Sequence, residues 1–342
     1  MAICLLGSDR VRSRYYLHQA RRESAVRSRS VLDPLSEPMQ RAVSLGEAAI
    51  PALVEALREE PLRQEAMRAL YELYFPLNGL SEPTRNAKPV PYLERRQPYL
   101  PRFWPLIIDD SEDRQVRRAA LQVLAFVGEI GGVEHRRDLV RIAERALEKE
   151  LQVLALSALS EWRAREARDD VLAVYRDRNQ PRGVRVAALS TSVDLSDQEA
   201  GHALLESALT DPDALVRFSA ARGTLWSFHD PKGVGTLVGV LADGGPLEAG
   251  NAWSYLGEYT GKVFGADLVV PDGAREMTYE RYTASFRTDV VGCRARLAAL
   301  FGGGMAEERQ RVVKLWQHWY DKYKGRLRWS SEQGRFLATR GQ

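Results

Sequence analysis

VRRAALQVL at Val116–Leu124, VRVAALSTS at Val184–Ser192 and VRFSAARGT at Val216–Thr224 write one pattern three times, Val-Arg-x-x-Ala. Outward from these copies the pattern returns as Leu62-Arg63-x-x-Ala66 and Leu151-Gln152-x-x-Ala155, and more weakly as Leu247-Glu248-x-x-Asn251. Successive copies stand 54, 35, 33, 32 and 31 positions apart. A period of this length marks a chain built from stacked supersecondary units. The one long spacing holds an insert, PLNGLSEPTRNAKPVPYLERRQP at Pro76–Pro98, whose five prolines forbid a continuous helix.

Each unit predicts two helices, here termed A and B. AAIPALVEALREE is followed by PLRQEAMRALYELYF, YLPRFWPLIID by DRQVRRAALQVLAFVGE, and EAGHALLESALTDPD by ALVRFSAARGTLWSF. Apolar residues recur at i, i+3/i+4 and i+7/i+8, the pattern of an amphipathic helix. Pro or Asp sits where one helix must stop and the next begin. Almost nothing alternates at strand period, so the expected class is all-α. Within the motif the Val or Leu anchors helix B in the core, and the Ala four residues on lies one turn along the same face. A small side chain there lets helices A and B approach closely. The Arg beside the anchor can reach acids of the preceding inter-helix turn, such as Asp109, Asp110, Asp211 and Asp213. One such pair cannot bury its own apolar face, but stacked pairs can.

The repeats resemble the HEAT family in its short bacterial form, D-x-x-x-x-V-R-x-x-A, as in Asp211–Ala220. The likeness covers residues 44–260. YLGEYTGKVFG at Tyr255–Gly265 and VVKLWQHWYDKYKGRLRW at Val312–Trp329 together resemble the LTG-x-x-FG … W-x-x-W tail of bacterial HEAT-repeat proteins, here split by a long insert. The resemblance implies an α-solenoid of about six helix pairs with a C-terminal capping helical region. It implies a habit of binding and no particular reaction.

Three regions follow. Residues 1–43 form a basic arm or a capping helix, 44–260 the solenoid with its insert at 76–98, and 261–342 an irregular insert plus an aromatic, basic cap. In the last region DVVGCRARLAALFGGG reads as a helix ended by glycines. The helix at Glu307–Lys324 carries Leu315, Trp316, Trp319, Tyr320 and Tyr323, an aromatic face suited to covering the end of a solenoid.

Composition is that of a globular chain able to bury a core: 342 residues, 44% hydrophobic and 28% charged. No apolar run approaches the length of a membrane span. MAICLLGSDR makes a poor secretory signal, which points to the cytoplasm. Two cysteines, Cys4 and Cys293, exclude a disulfide framework, and Cys293 reads as a small core residue. The net +3 conceals an asymmetry: residues 10–29 carry +6, residues 309–340 carry +7, and the rest carries −10. Basic ends can attract nucleic acid or an anionic surface, while the acidic middle disfavours a polyanion lying along it.

No catalytic constellation is legible. His18, His135, His202, His229 and His318 lack partners at metal-ligand spacing, so neither metal nor cofactor is expected. Walker A, G-x-G-x-x-G and G-x-S-x-G patterns are missing, and GGG at 302–304 lacks the Lys-Ser/Thr of a phosphate loop.

The repeat register singles out one surface. Positions +2, +6, +10 and +13 from the anchor fall on the side of helix B away from the core. In repeats 1, 3 and 4 this stripe is largely small, polar or acidic, with Glu72, Glu161 and Asp194. In repeat 5 it reads Phe218, Arg222, Trp226 and His229, and Trp253 stands at +6 of repeat 6. Aromatics and Arg on a wet face resemble an interaction hot spot, unless the insert at 262–305 folds over them. In HEAT arrays this side lines the concave surface, so the sequence reads as a non-enzymatic scaffold or adaptor holding another protein on the concave face near the C-terminal repeats. Arg85, Tyr92, Arg95 and Arg96 of the Pro-rich insert offer further contacts. Two alternatives stand beside this. One is a nucleic-acid-binding protein resembling the HEAT-like DNA glycosylases, with Arg68, Arg118 and Arg222 on phosphates. The other is a HEAT-like lyase acting on a bound small molecule.

Overall fold

A computed structural model of the chain describes residues 9–24, 35–74, 101–127, 133–270 and 273–339. Most of these residues are helical. The chain divides into two compact units, Met1–Val171 and Leu172–Gln342.

In the first unit α1 (Asp9–Ser24) precedes α2 (Glu37–Ser44), α3 (Ile50–Ala56), α4 (Glu60–Tyr74), α5 (Trp104–Ile108), α6 (Arg114–Val127), α7 (Val133–Arg145) and α8 (Lys149–Glu161). Helices α3/α4, α5/α6 and α7/α8 pack as the A/B pairs the periodicity predicts, and the B helices lie side by side, α4 on α6 and α6 on α8. Helix α1 seats Tyr16, Leu17 and Ala20 against α2, α3 and α4. Residues 9–24 of the basic N-terminal region therefore form a packed helix. Helix α9 (Arg168–Arg176) spans the boundary between the units.

In the second unit come α10 (Arg182–Asp194), α11 (Gln198–Ala208), α12 (Ala214–Phe228), α13 (Lys232–Asp243) and α14 (Pro246–Thr260). Here too the B helices pack in sequence, α10 on α12 and α12 on α14. Strand β1 (Lys262–Phe264) then pairs antiparallel with β2 (Glu276–Thr278), with Val263 opposite Met277. Helices α15 (Tyr279–Thr288), α16 (Val290–Phe301) and α17 (Ala306–Tyr323) follow, and β3 (Leu327–Ser330) and β4 (Arg335–Ala338) form a closing hairpin. The described residues are mostly helical, in keeping with the all-α expectation, and the two short strand pairs and α15 are additions to it. Strands of three or four residues are too short for a periodicity reading to register.

The motif performs as its chemistry suggests. Anchors Leu62, Val116, Leu151, Val184 and Val216 and the alanines at Ala66, Ala120, Ala155, Ala188 and Ala220 are all buried. The polar residue beside the anchor turns back to cap the A helix, whose last carbonyls lack intrahelical donors. Arg63 Nε donates to Leu57 O at 2.8 Å, Arg117 Nε to Ile107 O at 3.1 Å, Gln152 Nε2 to Ala143 O at 2.9 Å and Arg185 Nε to Tyr175 O at 3.1 Å. Arg117 also meets Asp110 of its own turn at 2.8 Å. Three of the arginines reach forward to an acid at or near the A/B turn of the next helix pair: Arg63 to Asp113 at 3.3 Å, Arg185 to Asp211 and Arg217 to Asp243, both at 2.6 Å. At these three positions the motif Arg ties its repeat to the next, a reach the sequence reading had confined to one repeat.

Repeat 6 corrects the register. Leu247 is 69% exposed, whereas Glu248 and Ala252 are buried. The anchor position is therefore held by Glu248, whose carboxylate pairs with Arg182. One residue of slip rotates a helical position by about 100°. Trp253 thereby moves from +6 to +5, the core position that Leu121, Leu156, Leu189 and Ala221 fill in repeats 2 to 5.

Candidate interaction site

Trp253 is 1% exposed and donates Nε1–H to Phe264 O at 2.8 Å. Its ring meets Tyr282 at 5.2 Å and Phe301 at 6.2 Å, so the C-terminal insert does fold over this end of the stripe. Trp253 is not a surface residue, which corrects its placement on the wet face. Phe218 is also buried, at 8% exposed, with its ring edge-on to Tyr255 at 5.6 Å. The other three stripe residues of repeat 5 are exposed. Arg222 and Trp226 stand one turn apart on α12, and Trp226 is 69% exposed. His229 ends that helix in a left-handed conformation (φ 51°), donates Nδ1–H to Leu225 O at 3.1 Å, and stacks on Trp329 at 4.0 Å. The β3–β4 hairpin thus borders the Arg222–Trp226 surface without covering Trp226.

Next to it the outer face of α14 forms the floor of a groove. In the corrected register, +2, +6 and +10 of repeat 6 are Gly250, Ser254 and Glu258. Gly250 and Ser254, with Leu247 and Asn251, line a groove of about 850 Å³. One wall is α15, with Tyr279, Thr283, Phe286 and Arg287, and the other is α16, with Arg294 and Leu297. Gly257 permits the closest approach: a Cβ there would lie 3.0 Å from the Tyr279 ring. Glu258 continues the face one turn beyond Ser254. Desolvation pushes its carboxyl above the usual carboxylate range. Burial drives the Tyr259 hydroxyl up to about 12, aided by the Glu258 charge and opposed by Arg222; Tyr279 is raised by burial and by Glu258. Tyr259 is almost wholly buried, yet its hydroxyl has no hydrogen-bond partner among the described residues.

Arg68 and Arg118 share a groove of about 570 Å³ in the first unit with Glu60, Gln64 and Gln122, while Arg222 belongs to the second. Arg85, Tyr92, Arg95 and Arg96 lie outside the described residues. Cys293 is buried in α16, with Arg296 Nη2 3.5 Å from its sulfur. Glu161 and Asp194 are exposed on the stripe, and desolvation raises the Glu72 carboxyl against the pull of Arg68. Among the described residues no three His, Cys, Asp or Glu side chains gather as a metal site, and no helix is long and apolar enough to cross a membrane. The α15 wall escaped the sequence reading, although Thr278, the N-cap that accepts from Arg281 N at 3.3 Å, was a legible start signal. No protein-family model matches the chain, and no curated protein matches it.

Proposed function

We propose that this protein is a HEAT-type α-solenoid of about six helix pairs that serves as a non-enzymatic scaffold in the cytoplasm, holding another protein on the concave face near its C-terminal repeats. Side-by-side B helices within each unit, buried anchor and alanine positions, and arginines tied to the following repeat support the fold reading. The binding reading rests on the Arg222–Trp226 pair. Trp and Arg are the side chains most often found as energetic anchors of interfaces. Here they sit together in the open, on a helix whose other large apolar residues are largely covered.

The test is capture from lysate by the full-length protein beside an Arg222→Ala/Trp226→Ala variant with an unchanged circular dichroism melt. A protein partner retained by the wild type and reduced at least about tenfold by the variant supports the reading. Equal capture by both overturns it. Capture of nucleic acid alone, with an affinity falling steeply with salt, replaces it with the DNA-binding alternative.

A further inference from the structure

The groove on α14 carries an inference independent of Trp226. Its ends differ in charge. Helix α15 runs antiparallel to α14: Tyr279, at its start, packs on Gly257, and Tyr282 packs on Trp253 further back. The last turn of α15 therefore reaches the Leu247–Gly250 end of the floor. Arg287 lies in that last turn, and Arg294 lies one turn beyond the α15–α16 junction. Both are exposed, both line the groove, and neither has an ion-pair partner among the described residues. At the other end stand Tyr279 and, beyond it, Glu258, whose carboxylate likewise has no hydrogen-bond or ion-pair partner among the described residues. Leu247, Phe286 and Leu297 supply apolar surface to the groove, and the Tyr282 ring lies between its two ends. Asn251 and Ser254 supply polar groups that no described residue engages.

We propose that this groove binds a short protein segment of fixed polarity, an acidic residue seated between Arg287 and Arg294, apolar side chains in the middle, and a lysine or arginine at Glu258. Charge complementarity selects this occupant, because two uncompensated guanidiniums line the groove and one uncompensated carboxylate stands a turn beyond Ser254 on the same face of α14. Length follows from helix rise. Gly250 to Glu258 spans about 12 Å along α14. An extended chain rising about 3.3 Å per residue covers that in about four residues. The Asn251 amide and the Ser254 hydroxyl are placed to hydrogen-bond the segment's main chain. The channel is open along its length, as a segment within a longer chain requires.

A random heptapeptide library displayed on phage, selected on the full-length protein, tests this. The expected consensus has Asp or Glu about four positions from Lys or Arg, with apolar residues between. A synthetic consensus peptide is then titrated against charge variants of unchanged circular dichroism. Arg287→Glu/Arg294→Glu should weaken it about tenfold, and Glu258→Lys severalfold. Reselection on Arg287→Glu/Arg294→Glu should exchange the acidic position for a basic one. Arg287→Gln/Arg294→Gln provides the neutral version should the reversal disturb folding. Trp226→Ala should leave peptide binding unchanged, which separates this site from the Arg222–Trp226 surface. The proposal is overturned by failure to enrich any peptide, by one consensus for wild type and charge variants alike, or by binding of laurate without any peptide.

Discussion

Arg185 shows what one motif position accomplishes. A single guanidinium caps the carbonyl of Tyr175 and reaches Asp211 of the following repeat, with both side chains only 8% exposed. Removing one partner of a buried pair strands the other charge in a poorly hydrated place. Arg185→Ala should therefore cost about 3 kcal/mol in urea unfolding. Arg185→Ala/Asp211→Ala should cost less than Arg185→Ala alone, and a purely additive result would contradict the coupling. The two tryptophans of the stripe divide the same way. Trp253→Ala opens a cavity and should cost about 3–5 kcal/mol. Trp226→Ala removes an exposed ring and should change the midpoint by less than about 0.5 kcal/mol. Glu258 gives a pH signature. Its folded pKa lies above the unfolded value, so ionising it opposes folding above the folded pKa, and the penalty disappears below the unfolded value near 4.5. Glu258→Gln should raise the melting temperature at pH 7 and have no such effect at pH 3.5. An equal gain at both values would show that the effect is not one of charge.

Helix α13 sets two glycines against each other. A Cβ on Gly233 would stand 2.6 Å from Leu225 Cγ and 2.8 Å from Ala221 O, so this glycine lets α13 lie directly on α12. Gly239 has nothing within 4 Å of the same position and faces solvent. Gly233→Ala should destabilise by about 1–3 kcal/mol through overpacking. Gly239→Ala should stabilise by up to about 1 kcal/mol, because alanine loses less backbone entropy in a helix. Thermal melts of both variants check the pair, and a loss of stability at Gly239 would show a contact the fold does not display. Gly235 marks the next junction, where the Tyr320 hydroxyl of α17 fills the space a side chain would need. In the β3–β4 hairpin LRWS alternates apolar and polar residues but RFLA does not, and Gly334, at φ 61°, ends the turn between them.

For the second unit, residues 306–339 contribute to the core. Val312, Trp316, Leu327 and Phe336 are buried, and α17 lies on α13 while β4 lies on α14. Terminal elements of stacked helix pairs must cover the last exposed apolar face. Ending the chain at Met305 should therefore expose α13 and α14, remove several kcal/mol of apolar burial and bind the dye ANS, with aggregation on heating. A truncated chain that melts like the full-length protein would show that the aromatic tail caps nothing. The sequence had already assigned Trp316 and Trp319 to such a cap from their helical spacing.

What the sequence determined by itself is local and periodic. Helix identity, the A/B alternation, the anchor–alanine face and most turn positions follow from spacing, because a helix returns to the same face every three or four residues. The direction of the motif arginines, the register of repeat 6 and the groove did not follow. Arg185 finds Asp211 only across a helix pair, a distance in space that sequence separation does not encode. Repeat 6 lacks the Val that marks the anchor elsewhere, so a one-residue slip carried Trp253 to the wrong face. The charge-polarised groove needs α14, α15 and α16 brought together, and no single stretch of sequence contains it. Tertiary packing decided these features, because burial and ion pairing act between segments while periodicity reports only on one.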